Sequence, residues 1–554
     1  MSTTPDLPAA SSLDAAFAHI DEMVARVMAR DVTPGISLAI TDRDTLLSAR
    51  TYGFANLDAQ IPVMPETLFE IGSIGKSFTA VVFLQLAAEG IVDLHAPVQT
   101  YLPWFAVQSE YGPITLHHLL THTAGIIGGS DHVPDPRYEL WTLRRTRTYA
   151  APGEQYSYSN LGYKALGIIL EELLHKPYAE IIRERIFAPL GMTDAWAEIT
   201  HEMRPLLAVG YADQFDDRPR QPWHRHVPAT WLESNTGDGC ISTHAIDLAR
   251  YVRTLLNHGS GPDGTILTAE QFATMRNPHT GPSPRPTYGY ALDRPSEEET
   301  HRFGHSGGMV GYVSQMIGDL DAGLGAIALC NGRGPVSEIA SFALATITAA
   351  RQGDELPRLP DVVDPLHVPN VGDYVGTYVG DTGTLEIVAT DAHRLAIEVA
   401  GEPVPLRLLM PQRSPDVFVA DHPAFALAPL RFDRADAADA ASPVVEVTYG
   451  DRWYRHDRHD GPTTFTYPEA WDAFVGHYRS HDPWYTNLRI GIIKGKLVLL
   501  SYGHAETLVP ESDGFRVGTE PDSPDWITFD AIVNGQALVL RYEDGAEYAR
   551  FFTP

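Results

Sequence analysis

A serine and a lysine three positions apart are the first residues of this sequence whose types and spacing favour catalysis. At the start of a helix, Ser73 and Lys76 would lie on one face, with Cβ atoms about 5–6 Å apart. The amine could then take the hydroxyl proton and turn the serine into a nucleophile. Partial burial near a helix start disfavours the charged lysine, as a general base requires. The pair alone is weak support, but the following Phe78 and Val81 make a solvated lysine the poorer interpretation.

A tyrosine and an asparagine form a second pair, two positions apart. Tyr158 and Asn160 lie in a loop just before a helix predicted over Tyr163–Leu174. On such a loop the phenol can relay a proton to a leaving group, and the amide can hold a substrate carbonyl. An isolated Tyr-x-Asn is more often a turn, so this pair gains weight only beside other motifs.

A third motif, His305-Ser306-Gly307-Gly308, begins a β-prone stretch. A substrate that lies along a strand edge needs small residues beside it, and the two glycines provide that clearance. His305 by itself is more often a structural histidine than a catalytic one.

The same segment offers a competing interpretation. Gly304, Ser306 and Gly308 fit G-x-S-x-G, the nucleophile elbow of α/β-hydrolases. That elbow must open a helix, whereas the residues that follow are strand-like. The next histidine after the motif is His367, which already lies in a predicted linker. The elbow is therefore the disfavoured interpretation.

No metal or cofactor is expected. His118 and His122 have the i, i+4 spacing of two zinc ligands, but Leu119 stands where the metalloprotease motif has its glutamate. Both are interpreted as helix or loop histidines. Cys240 and Cys330 are the only cysteines, which excludes a disulfide framework and a CxxC knuckle.

These motifs need a scaffold, and the periodicity of apolar residues predicts its elements. Ser11 and Ser12 can cap a first helix that runs to about Arg30. Further helices are predicted over Ile71–Glu89, Tyr163–Leu174, Ala245–Leu256 and Ser337–Arg351, and strands over Gly35–Ile40, Leu46–Phe54, Val310–Ile317 and Gly325–Leu329. Helices at both ends, strands in two groups and a helical section between them predict an α+β domain of about 350 residues.

After this domain the sequence repeats itself. Val375-Gly-Thr-Tyr378 returns as Val475-Gly-His-Tyr478, at an offset of 100 positions. Later matches follow at nearly the same offset: Leu385–Ile387 with Leu488–Ile490, Leu395–Ile397 with Leu497–Leu499, Leu409–Pro411 with Leu508–Pro510, and Phe432 with Phe529. Alternating apolar residues and turn signals make each copy a small antiparallel β-barrel or sandwich. One irregular β-domain with accidental similarity is the alternative.

The balance of acidic and basic residues restricts the classes of partner that the protein is expected to bind. With 41 Lys and Arg against 71 Asp and Glu, the 554-residue chain has a formal charge of −30. Neither nucleic acid nor an anionic membrane is therefore an expected partner. Residues 1–10 lack a basic and apolar leader, and no apolar stretch reaches roughly 20 residues. A cytoplasmic protein is expected, and a homo-oligomer is left open.

The three motifs, in this order and spacing, resemble those of the penicillin-recognising serine hydrolases: class C β-lactamases and D-alanyl-D-alanine peptidases. Flanking segments resemble that family as well, namely Ile114–Gly125, Phe187–Met192 and Gly239–Thr243. The resemblance covers roughly residues 13–350.

The resemblance implies a catalytic role for each polar side chain. Ser73 would be the acylated nucleophile and Lys76 its base. Tyr158 would relay a proton to the leaving group. His305 would stand where many relatives have a lysine and would tune Tyr158. Which of Lys76 and Tyr158 is the base in each step stays open.

The resemblance also implies substrate-binding roles. Asn160 would hold the substrate, and Gly307 and Gly308 would border it. The oxyanion hole would be the backbone N–H groups of Ser73 and Gly308.

The predicted architecture is a β-lactamase/DD-peptidase-like catalytic domain, an antiparallel sheet with helices and a helical subdomain, followed by two small antiparallel β-barrel-like domains. The predicted boundaries are 1–355 for the catalytic domain, 356–370 for a linker, and 371–460 and 461–554 for the β-domains. This order is similar to that of the family's D-aminopeptidases, which release N-terminal D-residues from peptides and amides.

The expected function is a serine hydrolase that cleaves amide or peptide bonds through an acyl-enzyme on Ser73. Its expected partner is a small-molecule or short-peptide substrate, with D-configured residues first. A carboxylesterase or acyltransferase with the same site is one alternative, and a non-catalytic penicillin-binding sensor is another.

Overall fold

Two units divide the chain, and neither is one continuous stretch of sequence. The structure, a computed structural model, places residues 1–212 and 227–361 in the first unit and residues 213–226 and 362–554 in the second. The residues described are 10–129, 135–221, 223–277, 287–361, 363–410, 414–501, 504–511, 513–520, 523, 525–543 and 545–552.

The first unit alternates helices with strands. Its helices are α1 (Ala10–Asp31), α2 (Gly75–Ala88), α3 (Val98–Tyr101), α4 (Leu116–Leu120), α5 (Pro136–Thr142), α6 (Asn160–Leu174), α7 (Tyr178–Ile182), α8 (Ala188–Leu190), α9 (Ala245–Leu256), α10 (Ala269–Arg276) and α11 (Val336–Gln352). Its strands are β1 (Gly35–Asp42), β2 (Leu46–Asn56), β3 (Ile61–Pro62), β4 (Phe69–Glu70), β5 (Tyr211–Asp213), β6 (His226–Pro228), β7 (Ser242–Thr243), β8 (Ser260–Gly261), β9 (Gly264–Thr265), β10 (Arg302–Met309), β11 (Tyr312–Asp319) and β12 (Leu324–Cys330). Strands β5 and β6 lie where the chain passes between the units.

A six-stranded sheet in the order β10-β11-β12-β1-β2-β3 forms the centre of this unit, and its strand pairs are antiparallel. Strands β1 and β12 are buried almost throughout because both faces of the sheet are covered. Helices α1 and α11 share a core with one face. Helix α9 covers the other face, where a Cβ on Gly325 would lie 2.5 Å from Val252 Cγ1. Strand β10 is an edge strand, so one side of its backbone is available to the site.

The prediction of an α+β fold with an antiparallel sheet is confirmed, with one local correction. Residues 302–309 form a strand of their own, and Gly311, at φ +90°, turns the chain into β11. The single predicted strand over Val310–Ile317 therefore begins only at Tyr312. Glycines at positions 304, 307 and 308 of β10 replace the β-prone side chains on which the prediction relied. Among the described residues, no helix is both long and apolar enough to cross a membrane.

The second unit contains two closed antiparallel barrels. The strands of the first barrel are β13 (Gly376–Gly380), β14 (Gly383–Asp391), β15 (Arg394–Val399), β16 (Glu402–Met410), β17 (Ser414–Ala420), β18 (Leu430–Arg434), β19 (Val444–Tyr449) and β20 (Arg452–His456). Those of the second are β21 (Gly476–Arg479), β22 (Asn487–Ile493), β23 (Lys496–Ser501), β24 (His504–Glu511), β25 (Gly514–Val517), β26 (Trp526–Val533), β27 (Gln536–Tyr542) and β28 (Glu547–Phe551). Pairing of the first strand with the last closes each barrel.

The repeat predicted from the sequence corresponds to these barrels. Tyr378 and Tyr478 are fully buried at equivalent places, and each hydroxyl donates to the carbonyl four residues earlier, at 2.8 and 2.7 Å. Phe432 and Phe529 pack against them, with ring centroids 5.7 and 6.0 Å apart. The alternative of one irregular β-domain is therefore wrong.

A segment from within the catalytic sequence belongs to the second unit. Residues 213–226, which we name the strap, separate two parts of the first unit and pack on both barrels. Gln221 Nε2 donates to the Ala420 carbonyl of the first barrel at 3.4 Å. In the second barrel, Thr486 donates its backbone N–H to Asp216 at 3.0 Å. The predicted boundaries, which are continuous stretches, assigned this segment to the catalytic domain.

Candidate active site

Ser73 lies in a single 3-10 turn, Gly72–Ile74, that leads into α2. Gly72 adopts φ +52°, a left-handed conformation that favours glycine, so the α-helix begins only at Gly75. Ser73 is half-buried, and its Oγ lies 2.9 Å from Lys76 Nζ. The structure thus places the predicted nucleophile and the predicted amine in contact.

Lys76 is fully buried. Its Nζ donates to the Asp238 carbonyl at 2.7 Å and lies 5.0 Å from the ring centroid of Tyr158 and 5.7 Å from that of Tyr163. Removal from water disfavours the charged amine, and the aromatic faces offset part of that cost. The Asp238 contact was not predicted, because a backbone acceptor leaves no residue-type signal in a sequence.

Tyr158 lies directly before the capped N-terminus of helix α6. Helix α6 begins at Asn160, and Ser159 is its N-cap, with Oγ accepting from the Gly162 N–H at 3.2 Å. The same hydroxyl donates to the Ile127 carbonyl at 2.7 Å. The cap and this second bond hold the loop that carries Tyr158.

Strand β10 directs one backbone edge toward the nucleophile. Gly304 and Asp293 exchange two backbone hydrogen bonds of 2.9 Å on the side away from β11. Alternate residues of an antiparallel ladder direct their N–H and C=O groups the same way, so those of Ser306 and Gly308 also face away from β11. The Gly308 backbone packs on Gly72, where an added Cβ would lie 2.7 Å from Gly308 N. This arrangement suits the predicted oxyanion hole.

Replacing Gly307 with alanine should separate β10 from the nucleophile turn. A Cβ there would lie 1.9 Å from the Ile71 carbonyl oxygen and 2.4 Å from Ser314 Oγ. We expect the free energy of unfolding to fall by about 1–3 kcal/mol, as overpacking does, together with loss of activity. Denaturant unfolding with Gly308→Ala as the control checks this, because no atom lies within 4 Å of a Cβ on Gly308. Equal stability of the two variants would contradict the argument.

Two hydrogen bonds orient the His305 ring. A carbonyl can only accept, so Nδ1 donates to the Ser306 carbonyl at 2.5 Å, and in the neutral ring Nε2 is then the acceptor for the Tyr288 hydroxyl at 3.0 Å. Burial, followed by the neighbouring Tyr163 and Tyr158, raises the pKa of Tyr288 well above its usual value, so this phenol is a neutral donor. The ring centroids of His305 and Tyr158 are 6.4 Å apart. Tuning of Tyr158 by His305 stays a prediction.

These residues surround a cavity of about 240 Å³. Its lining residues are Ser73, Tyr156, Tyr158, Tyr288, Asp293, His305, Ser306, Gly307 and Gly308. The structure therefore brings most of the predicted site together. Lys76 lies buried behind Ser73, and Asn160 begins α6 without lining the cavity. Tyr156, Tyr288 and Asp293 were not predicted, because no motif marks the stretch that carries the last two.

The nucleophile-elbow motif and the His118/His122 pair do not have the geometry of the sites that their spacing suggests. Ser306 lies inside β10, not at a strand-to-helix turn, so the elbow interpretation is excluded. His118 Nδ1 accepts from the Thr115 N–H at 3.1 Å, and His122 Nδ1 accepts from the Ser159 N–H at 3.0 Å. The two rings thus accept hydrogen bonds from different backbone N–H groups.

One group elsewhere has the composition of a metal site. Donor atoms of Asp194, His244 and Asp247 lie within 4.8 Å of one another. His244 Nδ1 accepts from the Asp247 N–H at 3.0 Å, so its proton lies on Nε2, the nitrogen 3.7 Å from Asp194. A protonated nitrogen does not bind a metal, and the cap of α9 explains the group better.

Known proteins share this fold. Penicillin-binding protein 4* of Bacillus subtilis (strain 168) is 27% identical over 384 residues, which are 64% of this chain and 82% of that protein. The octameric penicillin-binding protein homologue from Pyrococcus abyssi aligns with a TM-score of 0.56 and 25% identity, over 79% of this chain and 99% of its own. D-amino acid amidase from Ochrobactrum anthropi SV3 has the same fold, with a TM-score of 0.51 and 24% identity over 61% of this chain and 99% of its own.

The family match agrees with the geometry. The model of the Beta-lactamase family matches residues 20–349, more than half of the chain. This stretch includes the Ser73–Lys76 contact, the Tyr158 loop and strand β10. The chain therefore belongs to the beta-lactamase family of serine hydrolases.

Proposed function

We propose that the protein hydrolyses amide or peptide bonds through an acyl-enzyme on Ser73. The observation that carries the proposal is the 2.9 Å contact between Ser73 Oγ, on the cavity wall, and the buried Lys76 Nζ. A nucleophile beside a buried amine is the arrangement that covalent catalysis requires. A homo-oligomer is the proposed assembly, supported by the octameric homologue from Pyrococcus abyssi.

The proposed reaction moves one proton in each of its two half-reactions. Neutral Lys76 takes the Ser73 proton as Oγ attacks the substrate carbonyl. The N–H groups of Ser73 and Gly308 stabilise the oxyanion. Collapse of the tetrahedral intermediate breaks the C–N bond, and Tyr158 relays the proton from Lys76 to the leaving nitrogen. Water then attacks the acyl-enzyme carbonyl and gives one proton to Lys76, which passes it to Ser73 Oγ as the C–O bond breaks. The acid is released, and Ser73 and Lys76 are as they began.

The charge of the cavity supports a substrate with a free amino group. Among the described residues that line it, Asp293 is the one carboxylate, and neither lysine nor arginine is present. Its Oδ1 accepts from the Thr287 hydroxyl at 2.7 Å and the Arg294 N–H at 2.9 Å, which orients the carboxylate. An ammonium group gains from such a neighbour, and a substrate carboxylate is repelled. The preferred bond is thus next to an amino-terminal residue.

Asp293→Asn should weaken this preference. We expect kcat/KM on D-alanine p-nitroanilide to fall about 10-fold, because one ion pair of about 1.4 kcal/mol is lost. The N-acetylated anilide should change by less than about 2-fold, since it has no ammonium group. Steady-state kinetics on both anilides measure the effect. Equal changes on the two substrates would place Asp293 outside substrate recognition.

A substrate panel tests the proposed function as a whole. D- and L-aminoacyl amides and short esters are compared, and intact mass is recorded after rapid quenching. Faster hydrolysis of the D-amides, with a transient acyl mass on the protein, is the expected result; the two trailing barrels, similar to those of D-aminopeptidases, support the D preference. Ester turnover without amide turnover would favour a carboxylesterase or acyltransferase. A permanent acyl mass would favour a penicillin-binding sensor.

A further inference from the structure

His122 lies beside the active site and takes no part in the proposed reaction steps. It follows α4, is 1% exposed, and adopts φ +56°. Residues other than glycine rarely take this left-handed conformation, and those that do are mostly Asn, Asp and His. The conformation has a free-energy cost and persists where surrounding contacts determine it.

Contacts of His122 enclose Tyr158. The His122 carbonyl accepts from the Ser157 N–H at 2.8 Å, and its Nδ1 accepts from the Ser159 N–H at 3.0 Å. Its ring lies against the Tyr158 ring, with centroids 4.1 Å apart and an interplanar angle of 33°. One residue therefore holds the neighbour before Tyr158, the neighbour after it, and the ring itself.

The Ser159 contact also defines the protonation of His122. A backbone N–H can only donate, so Nδ1 is unprotonated and the ring hydrogen lies on Nε2. Burial, the largest cause, lowers the pKa of His122 well below its usual value. The imidazole thus remains a neutral acceptor near neutral pH.

We propose that His122 is a positioning residue that holds the Tyr158 phenol where it protonates the leaving group, a role that rests on the function proposed above. Tyr158 belongs to no helix or strand, so its orientation depends on contacts of this kind. A misplacement of about 1 Å can lower a rate by roughly 100-fold. The rate should therefore fall for substrates whose leaving group needs a proton and change little for substrates whose leaving group does not.

Two variants separate the acceptor from the ring. His122→Phe keeps an aromatic ring and removes the acceptor. His122→Asn keeps the acceptor, since Oδ1 takes the place of Nδ1, and asparagine tolerates a positive φ. Each is assayed on p-nitrophenyl butyrate, whose leaving group departs without a proton, and on ethyl butyrate, whose leaving group needs one.

The readout is the ratio of kcat/KM on ethyl butyrate to kcat/KM on p-nitrophenyl butyrate. We expect kcat/KM on ethyl butyrate to fall about 100-fold in His122→Phe and less than about 10-fold in His122→Asn. On p-nitrophenyl butyrate both variants should stay within about 3-fold of the wild type. If His122 had a merely structural role, its replacement would lower kcat/KM equally on both esters, and that result would overturn the proposal.

If His122→Phe does not fold, the His122→Asn variant alone tests the positioning role. A loss of about 100-fold on ethyl butyrate in folded His122→Asn would overturn the proposal. Wild-type protein in which a fluorophosphonate fails to label Ser73 would refute the hydrolase function, and the positioning role with it. Labelled wild type with equal losses on both esters would refute the positioning role alone.

Discussion

Ser73→Ala is expected to abolish turnover while the fold remains intact. We expect kcat to fall by about 10⁴-fold or more, because covalent catalysis disappears. The fold should survive because Ser73 is only half-buried and Lys76 keeps its hydrogen bond to the Asp238 carbonyl. Amide hydrolysis rates and intact mass after fluorophosphonate treatment measure the two effects.

Ser306→Ala is the matched control for this experiment. Ser306 also lines the cavity, but it lies inside a strand, and no lysine is among the described residues that line the cavity with it. We expect labelling to disappear in Ser73→Ala and to persist in Ser306→Ala. Labelling that disappears only in Ser306→Ala would mean that the nucleophile has been misassigned.

Lys76→Met should produce the second large effect. Methionine fills a similar volume but cannot accept a proton, so we expect kcat to fall by about 10³-fold. Stability should change little, because the lost bond to the Asp238 carbonyl is offset by removal of a buried amine. Rates and thermal unfolding of the purified variant measure both quantities. Retention of full activity would exclude Lys76 as the base.

A second buried lysine provides the control. Lys164 is 3% exposed and pairs with Glu139 Oε2 at 2.5 Å, outside the catalytic cavity. Lys164→Met should lower the free energy of unfolding by about 3–5 kcal/mol, because Glu139 loses the partner of its buried charge. Its kcat, measured below the unfolding transition, should stay within about 3-fold of the wild type. The two variants therefore separate chemistry from stability.

Features with a local signal could be predicted from the sequence. The barrels were predictable because each copy repeats the same buried tyrosine, Tyr378 and Tyr478, followed by strands of alternating polarity. Ser73 and Lys76 were predictable because helical spacing alone places them together. The turn at Gly311 was not, since the glycines of the preceding strand β10 interrupt its apolar alternation.

Features that depend on long-range packing could not be predicted. Asp293 pairs with Gly304 on the outer edge of β10, and Tyr288 contacts His305 on the same strand. His122 was interpreted as a helix or loop histidine, but its contacts with the residues around Tyr158 cross more than thirty positions of sequence. Spacing rules describe neighbours within one helix or strand, and none of these contacts is of that kind.

The strap has a consequence for the order in which the protein is completed during synthesis. Asp216 leaves the ribosome 270 residues before its partner Thr486. At about 5–20 residues per second, it waits on the order of 10–50 s. During that time the rest of the catalytic sequence and the whole first barrel emerge, while the strap lacks part of its final surroundings. Of the two barrels, the second emerges later, and it completes a segment made long before it.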